Sequence, residues 1–165
     1  MQYSKYQEFM AEMFGTMFIL LFGNGVNAMV SLFNLGGYTN ITFGWGLGVF
    51  LGILVSNRIT GAHLNPAVTL ALVLTKRFPL RKAPLFISAQ MLGGFLGAAL
   101  VYFFYLAKFQ QVDPLLEHTA GIFTTFPAIT NSFMPGFMAE IIASCILVFG
   151  ILAIVENFVN DKAGY

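Results

Sequence analysis

The sequence predicts an all-α membrane protein with four spanning helices and one re-entrant half-helix. Three observations carry that expectation. Of the 165 residues, 58% are hydrophobic and only 9% charged, where a soluble domain has about a quarter charged. Four apolar stretches are each long enough to cross a ~30 Å hydrocarbon core. Between the second and third lies Gly61-Ala62-His63-Leu64-Asn65-Pro66-Ala67-Val68, in which Asn followed by Pro marks a helix start inside greasy sequence.

The first span covers residues 9–33 and carries Gly15, Gly23 and Gly25. Its length, with Glu8 and Glu12 beside Lys5, argues against a cleaved signal peptide. Residues 34–40, with Gly36-Gly37, form a short polar turn. The second span, 41–57, repeats glycine every four residues at Gly44, Gly48 and Gly52. That spacing makes a flat stripe for close approach of another backbone, although glycine is also simply commoner in membrane helices.

The helix started by Asn65 runs to about residue 75, roughly 16 Å at 1.5 Å per residue, about half of the hydrocarbon core. Such a broken helix is tolerated at membrane depth only where protein buries it or it lines a watery cavity. The stretch therefore points to a pore or binding site, with an ordinary helix cap as the plainer alternative. A basic loop follows at Lys76, Arg77, Arg81 and Lys82, interrupted by Pro79. The third span, 83–107, carries Gly93, Gly94 and Gly97. A connection over 108–134, with Asp113-Pro114 and Pro127, holds no spanning stretch. The fourth span, 136–155, has Glu140 near its start and leads into a polar tail.

With the N-terminus in the cytoplasm, seven of the eight basic residues fall inside and only Lys108 outside. Both ends of the chain are then cytoplasmic and the 108–135 loop is extracellular. Phe9-Met10-Ala11-Glu12 recurs as Phe137-Met138-Ala139-Glu140. Because three spans precede the second copy, it enters from the opposite side, as the first helix of an inverted repeat does. The organisation expected is a first repeat over 1–107, the loop, and then the opening helix of a second repeat with its tail over 136–165. A second Asn-Pro element at the same offset would fall beyond Tyr165.

Several function classes are excluded. A net charge of +1 gives no electrostatic footprint for nucleic acid. The single Cys145 builds no disulfide framework. His63 and His118 lie far apart, and a zinc site needs three or four ligands, so no metal is expected and His63 is read as packing. No nucleophile–base pair or phosphate loop is present, which argues against an enzyme and against a cofactor. Trp45 reads either as an interfacial belt residue or, given the glycines around it, as a packed, pore-facing ring. Glu12 and Glu140 are intramembrane carboxylates, which are expensive and usually functional, yet no chain of partners for a proton relay is apparent.

Gly61-Ala62-His63-Leu64-Asn65-Pro66-Ala67-Val68-Thr69, placed after a second span, resembles the signature of the major intrinsic protein family, the aquaporins and glycerol facilitators. The resemblance covers the whole chain. Gly44-Trp45-Gly46-Leu47-Gly48-Val49 and Phe123-Thr124-Thr125-Phe126-Pro127 are similar to the glycerol-conducting branch. The resemblance implies an aquaporin-like helical bundle, here incomplete, whose whole form has six spans and two half-helices and assembles as a homotetramer. It implies that Asn65 donates to a permeating hydroxyl or water. Gly61, Ala62, His63 and Leu64 would present carbonyl acceptors, and Pro66 and Ala67 would complete the turn. Trp45 and Val49 would form an apolar wall, and Glu12 and Glu140 would brace the half-helix loops. The family's second Asn-Pro-Ala turn, its filter arginine and its last two helices have no counterpart in this sequence. The expected function is passive passage of glycerol, similar small neutral solutes and water across the cell membrane, as part of a complete channel. A non-conducting truncated protein that modulates assembly of full-length channels, and a water-selective aquaporin, are the alternatives.

Overall fold

The computed structural model describes residues 3–127 and 133–154, and all regular structure in them is helical. Helix α1, Lys5–Phe33, begins four residues before the expected start. Ser4 and Gln7 form a reciprocal cap, Gln7 N donating to Ser4 Oγ at 3.3 Å and Ser4 N to Gln7 Oε1 at 2.9 Å. The polar first turn thus joins the helix without any apolar signal. Helix α2, Tyr38–Thr60, likewise outruns its apolar stretch. It stops at Gly61, whose φ of 81° only glycine adopts without strain. Helix α3, Pro66–Leu74, is the half-helix, with Asn65 and Thr75 as its caps. Helix α4, Ala83–Phe104, follows a short 3-10 turn at Leu80–Lys82.

Two compact units divide the chain, residues 1–125 and 126–165. In the first, α1 packs against both α2 and α4, and α3 packs against α4. Small residues set these contacts. A Cβ added to Gly52 would lie 2.7 Å from the Gly15 carbonyl oxygen, and one on Gly97 would lie 2.6 Å from that of Met17. The expected glycine stripe on α2 is therefore an interhelical contact surface, and α4 offers α1 a second one. Lipid tails are as apolar as leucine, so close backbone approach, more than hydrophobic exclusion, holds such helices together.

At the far end of α1 the connection after α4 is more structured than a loop. The helix breaks at Tyr105 and resumes as α5, Leu106–Val112, and a 3-10 turn follows at Ala120–Ile122. Phe109 and Ile122 join Ala28, Leu32 and Val101 in a buried cluster. Asp113 holds the intervening turn. Its carboxylate accepts from the backbone N–H of Glu117 (3.1 Å), His118 (2.8 Å) and Thr119 (2.8 Å) and from Thr119 Oγ1 (2.9 Å). In the second unit, α6 spans Phe133–Ile154, with 22 residues apolar enough to cross a membrane.

Replacing Gly52 with Val should destabilise the α1–α2 crossing by about 1–3 kcal/mol, the usual range for overpacking. Gly46→Ala meets nothing within 4 Å and serves as the control. Thermal melting of the detergent-solubilised protein, followed by size exclusion, checks both; equal melting of the two variants contradicts the crossing.

Asp113 yields a pH prediction. Burial raises its pKa, but the four hydrogen bonds outweigh that and hold the carboxyl below the usual aspartate value. A depressed native pKa contributes stability that is present above the unfolded value and lost as pH falls through the native one. The amide resonances of His118 and Thr119 should therefore titrate with a midpoint below that of an ordinary aspartate. A midpoint at or above it would show that the carboxylate does not hold the turn.

Candidate functional site

The segment joining α2 to α3 is backbone in an unusual form. Gly61, Ala62 and Leu64 have φ of 81°, 55° and 52°, in the left-handed region that costs a non-glycine residue roughly 1 kcal/mol. Glu12 of α1 compensates. Its side chain is fully buried, Oε1 accepting from His63 N at 3.1 Å and Oε2 from Leu64 N at 2.8 Å. Two backbone N–H groups that would otherwise be buried without an acceptor are thereby satisfied. Thr16 Oγ1, one turn along α1, donates to the Glu12 carbonyl at 2.8 Å and lies 3.4 Å from the Leu64 carbonyl. The Leu64 side chain meanwhile fills the space left by Gly15 and Gly52 at the α1–α2 crossing. The turn is thus gripped by its backbone and by a side chain together.

Asn65 turns its side chain onto the half-helix, Oδ1 accepting from Ala67 N at 2.8 Å, while Pro66 takes the first helical position. Two residues to which the sequence reading gave no role complete the site. Gln90 of α4, 2% exposed, donates through Nε2 to Glu12 Oε2 at 2.7 Å and to Thr69 Oγ1 at 3.0 Å. Thr69 lies 3.1 Å from His63 Nδ1 and donates to the Asn65 carbonyl at 3.2 Å. The signal for Gln90 was available: a polar amide within an apolar span seeks an interhelical partner. The His63 ring packs against both Phe78 (4.5 Å) and Phe86 (4.8 Å).

Trp45 is half-buried. Its ring lies against Gly23 of α1, and Nε1 donates to Asn27 Oδ1 at 3.4 Å. Asn27 Nδ2 in turn donates to the Ile122 carbonyl at 3.4 Å, joining α2, α1 and the 3-10 turn. Val49, one turn further along α2, is 41% exposed. Glu140 lies on α6 in the other compact unit and is exposed there. The structure thus brings Glu12 onto Gly61–Ala67, with Trp45 and Val49 further along α2.

Residues 1–165 match the family described as Major intrinsic protein. The chain belongs to that family. It is 40% identical over 153 residues to the glycerol uptake facilitator protein of Bacillus subtilis, covering 90% of this chain and 55% of that protein. Aquaglyceroporin-3 of Trypanosoma brucei brucei is 40% identical over 166 residues, covering 97% of this chain and 55% of that one. Among solved structures, the aquaglyceroporin of Plasmodium falciparum is similar with a TM-score of 0.60 and 38% identity, over 66% of this chain and 45% of that one. The chain spans about half the length of the curated relatives it matches. As a major intrinsic protein it is a multi-pass membrane protein, and its described helices include four long and apolar enough to span.

Glu12→Ala leaves the His63 and Leu64 N–H groups buried without an acceptor, at about 1–3 kcal/mol each. Hydrogen exchange at these two amides should accelerate at least tenfold while that of the α5 amides holds. Unchanged exchange at His63 and Leu64 would remove Glu12 from the role of anchor.

Proposed function

We propose that this chain supplies the amino-terminal portion of a passive channel for glycerol and similar small neutral solutes, with water. One observation carries the reading: the Gly61–Ala67 turn, fixed on Glu12, sets the Asn65 amide at the start of a half-helix. A solute entering single file loses water on each side. Asn65 Nδ2 donates to its hydroxyl oxygen, and carbonyls of Gly61, Ala62 and His63 accept from its hydroxyl hydrogens. The Leu64 carbonyl accepts in the same way. Trp45 and Val49 face the carbon–hydrogen edges with apolar surface. The positive end of the α3 dipole makes the turn unfavourable for cations and protons.

The relatives named for glycerol uptake and as aquaglyceroporins support glycerol over a water-only pore. Transport by such a path requires no covalent chemistry and no cofactor. The N-terminus lies in the cytoplasm of a cell-membrane protein, residues 1–107 form the first repeat, and 136–165 open an inverted second one. There Glu140 takes the bracing part that Glu12 takes here, and complete subunits associate as homotetramers.

A second reading has its own observation. Helix α3 is nine residues, about 14 Å long, and it is the single half-helix among the described residues, so its reach ends near mid-membrane. On that reading the chain alone is non-conducting and acts in assembly with full-length subunits.

Glycerol-driven swelling of vesicles from the native membrane, followed by light scattering, tests the first reading. Asn65→Leu, introduced into the native protein, should cut the glycerol rate at least tenfold. Full flux in that variant would refute the channel role. Liposomes holding only the purified chain test the second reading: flux equal to empty liposomes supports it, and Asn65-dependent flux refutes it.

A further inference from the structure

The end of the bundle where α1 begins carries a surface that the channel mechanism does not use. Helices α1 and α4 run parallel and α2 antiparallel, so Lys5, Arg58, Lys76, Arg77, Arg81 and Lys82 gather at one end. Glu8 is the neighbouring carboxylate, and it is buried against Lys82 Nζ. The side chains of Lys76 and Arg77 are exposed at this end.

Within it lies an open cleft of about 440 Å³ lined by Val73, Lys76, Arg77, Phe78, Pro79 and Leu80. Its floor is firm, because the Phe78 ring packs on His63 and, at 4.6 Å, on Phe86. Three of the last four carbonyls of α3, those of Ala71, Leu72 and Val73, accept backbone hydrogen bonds from the turn that follows. Thr75 N donates to Ala71 O, Lys76 N to Val73 O, and Arg77 N and Phe78 N to Leu72 O. Lys76 has a φ of 59°, so the chain reverses there and sets its exposed side chain at the cleft. Leu74 and Leu80 flank the cations at 82% and 70% exposure. A free anion needs only the cations. Exposed leucines beside them, at the end of a membrane-spanning bundle, suit a ligand that is anionic at one end and aliphatic at the other.

We infer that the cleft of Lys76, Arg77 and Leu80 binds the headgroup of an anionic phospholipid, its phosphate on the two cations and its acyl chains along Leu74 and Leu80. Basic pockets at membrane surfaces select such lipids by charge, each cation near the surface contributing about a fivefold gain in affinity. Positive charge that merely sets topology would show no dependence on these particular residues.

Native mass spectrometry of the purified chain tests the inference, with phosphatidylglycerol and phosphatidylcholine of identical acyl chains. The wild type should retain phosphatidylglycerol about 25-fold over phosphatidylcholine. Lys76→Gly removes one cation while suiting the left-handed backbone, and it should lower that preference about fivefold. Lys5→Gln, the same charge change on α1, should leave it in place. Leu74→Ser with Leu80→Ser should weaken retention of both lipids. Equal retention of the two lipids by the wild type, or an unaltered preference in Lys76→Gly, overturns the inference. Full displacement of the lipid by millimolar inorganic phosphate also overturns it, by showing a simple anion site. None of these readouts requires conduction, so failure here is distinct from failure of the channel reading.

Discussion

A single buried carboxylate organises the first unit. Glu12 lies within a membrane-spanning helix, where an unpaired charge would be costly, and three donors from two other elements surround it. Two of them are backbone N–H groups of a turn whose left-handed residues would otherwise relax. The third is the Gln90 amide, which reaches on to Thr69 inside the half-helix. Each party satisfies a need of the other: the carboxylate is solvated by protein dipoles, and the turn is held in a form the bare backbone disfavours. Moving α1 relative to α4 would break both at once.

The glycine contacts are what permit that arrangement. Gly15 and Gly52 bring α1 and α2 to backbone contact and leave the slot that the Leu64 side chain occupies. Gly93 and Gly97 do the same on the α4 side, which keeps Gln90 within 2.7 Å of Glu12. Packing and the polar site are therefore one construction. A bulkier residue in either crossing would displace the groups that hold the turn as well as the helix it sits on.

Much of this was legible in the residues. The spans announce themselves by apolar length, and the half-helix by Asn65-Pro66 in greasy surroundings. Helix ends were less legible, since Ser4, Gln7 and Asn40 act through local hydrogen bonds that carry no apolar pattern. Helix α5 was hidden because seven residues leave too short a periodicity, and its anchor, Phe109, acts through distant partners. Glu12 stood out as a charge in a span, whereas Gln90 was passed over because an uncharged polar residue barely dents mean hydropathy, and Thr69 was seen only as part of the signature stretch. Asn27, which links Trp45 to Ile122, was missed for the same reason.

The order of these parts along the chain has a consequence for biogenesis. Synthesis delivers Glu12 first, the turn at Gly61–Leu64 next, and Gln90 only after the half-helix has been made. A nascent chain can thus dock its turn on the carboxylate through two backbone bonds before the third donor exists. Arrival of α4 then closes the network from behind, tying Thr69 and Glu12 to one amide. The re-entrant element is therefore fully tied down only once α4 is in place, although two helices already flank it, and α4 acts as the latch of the polar network.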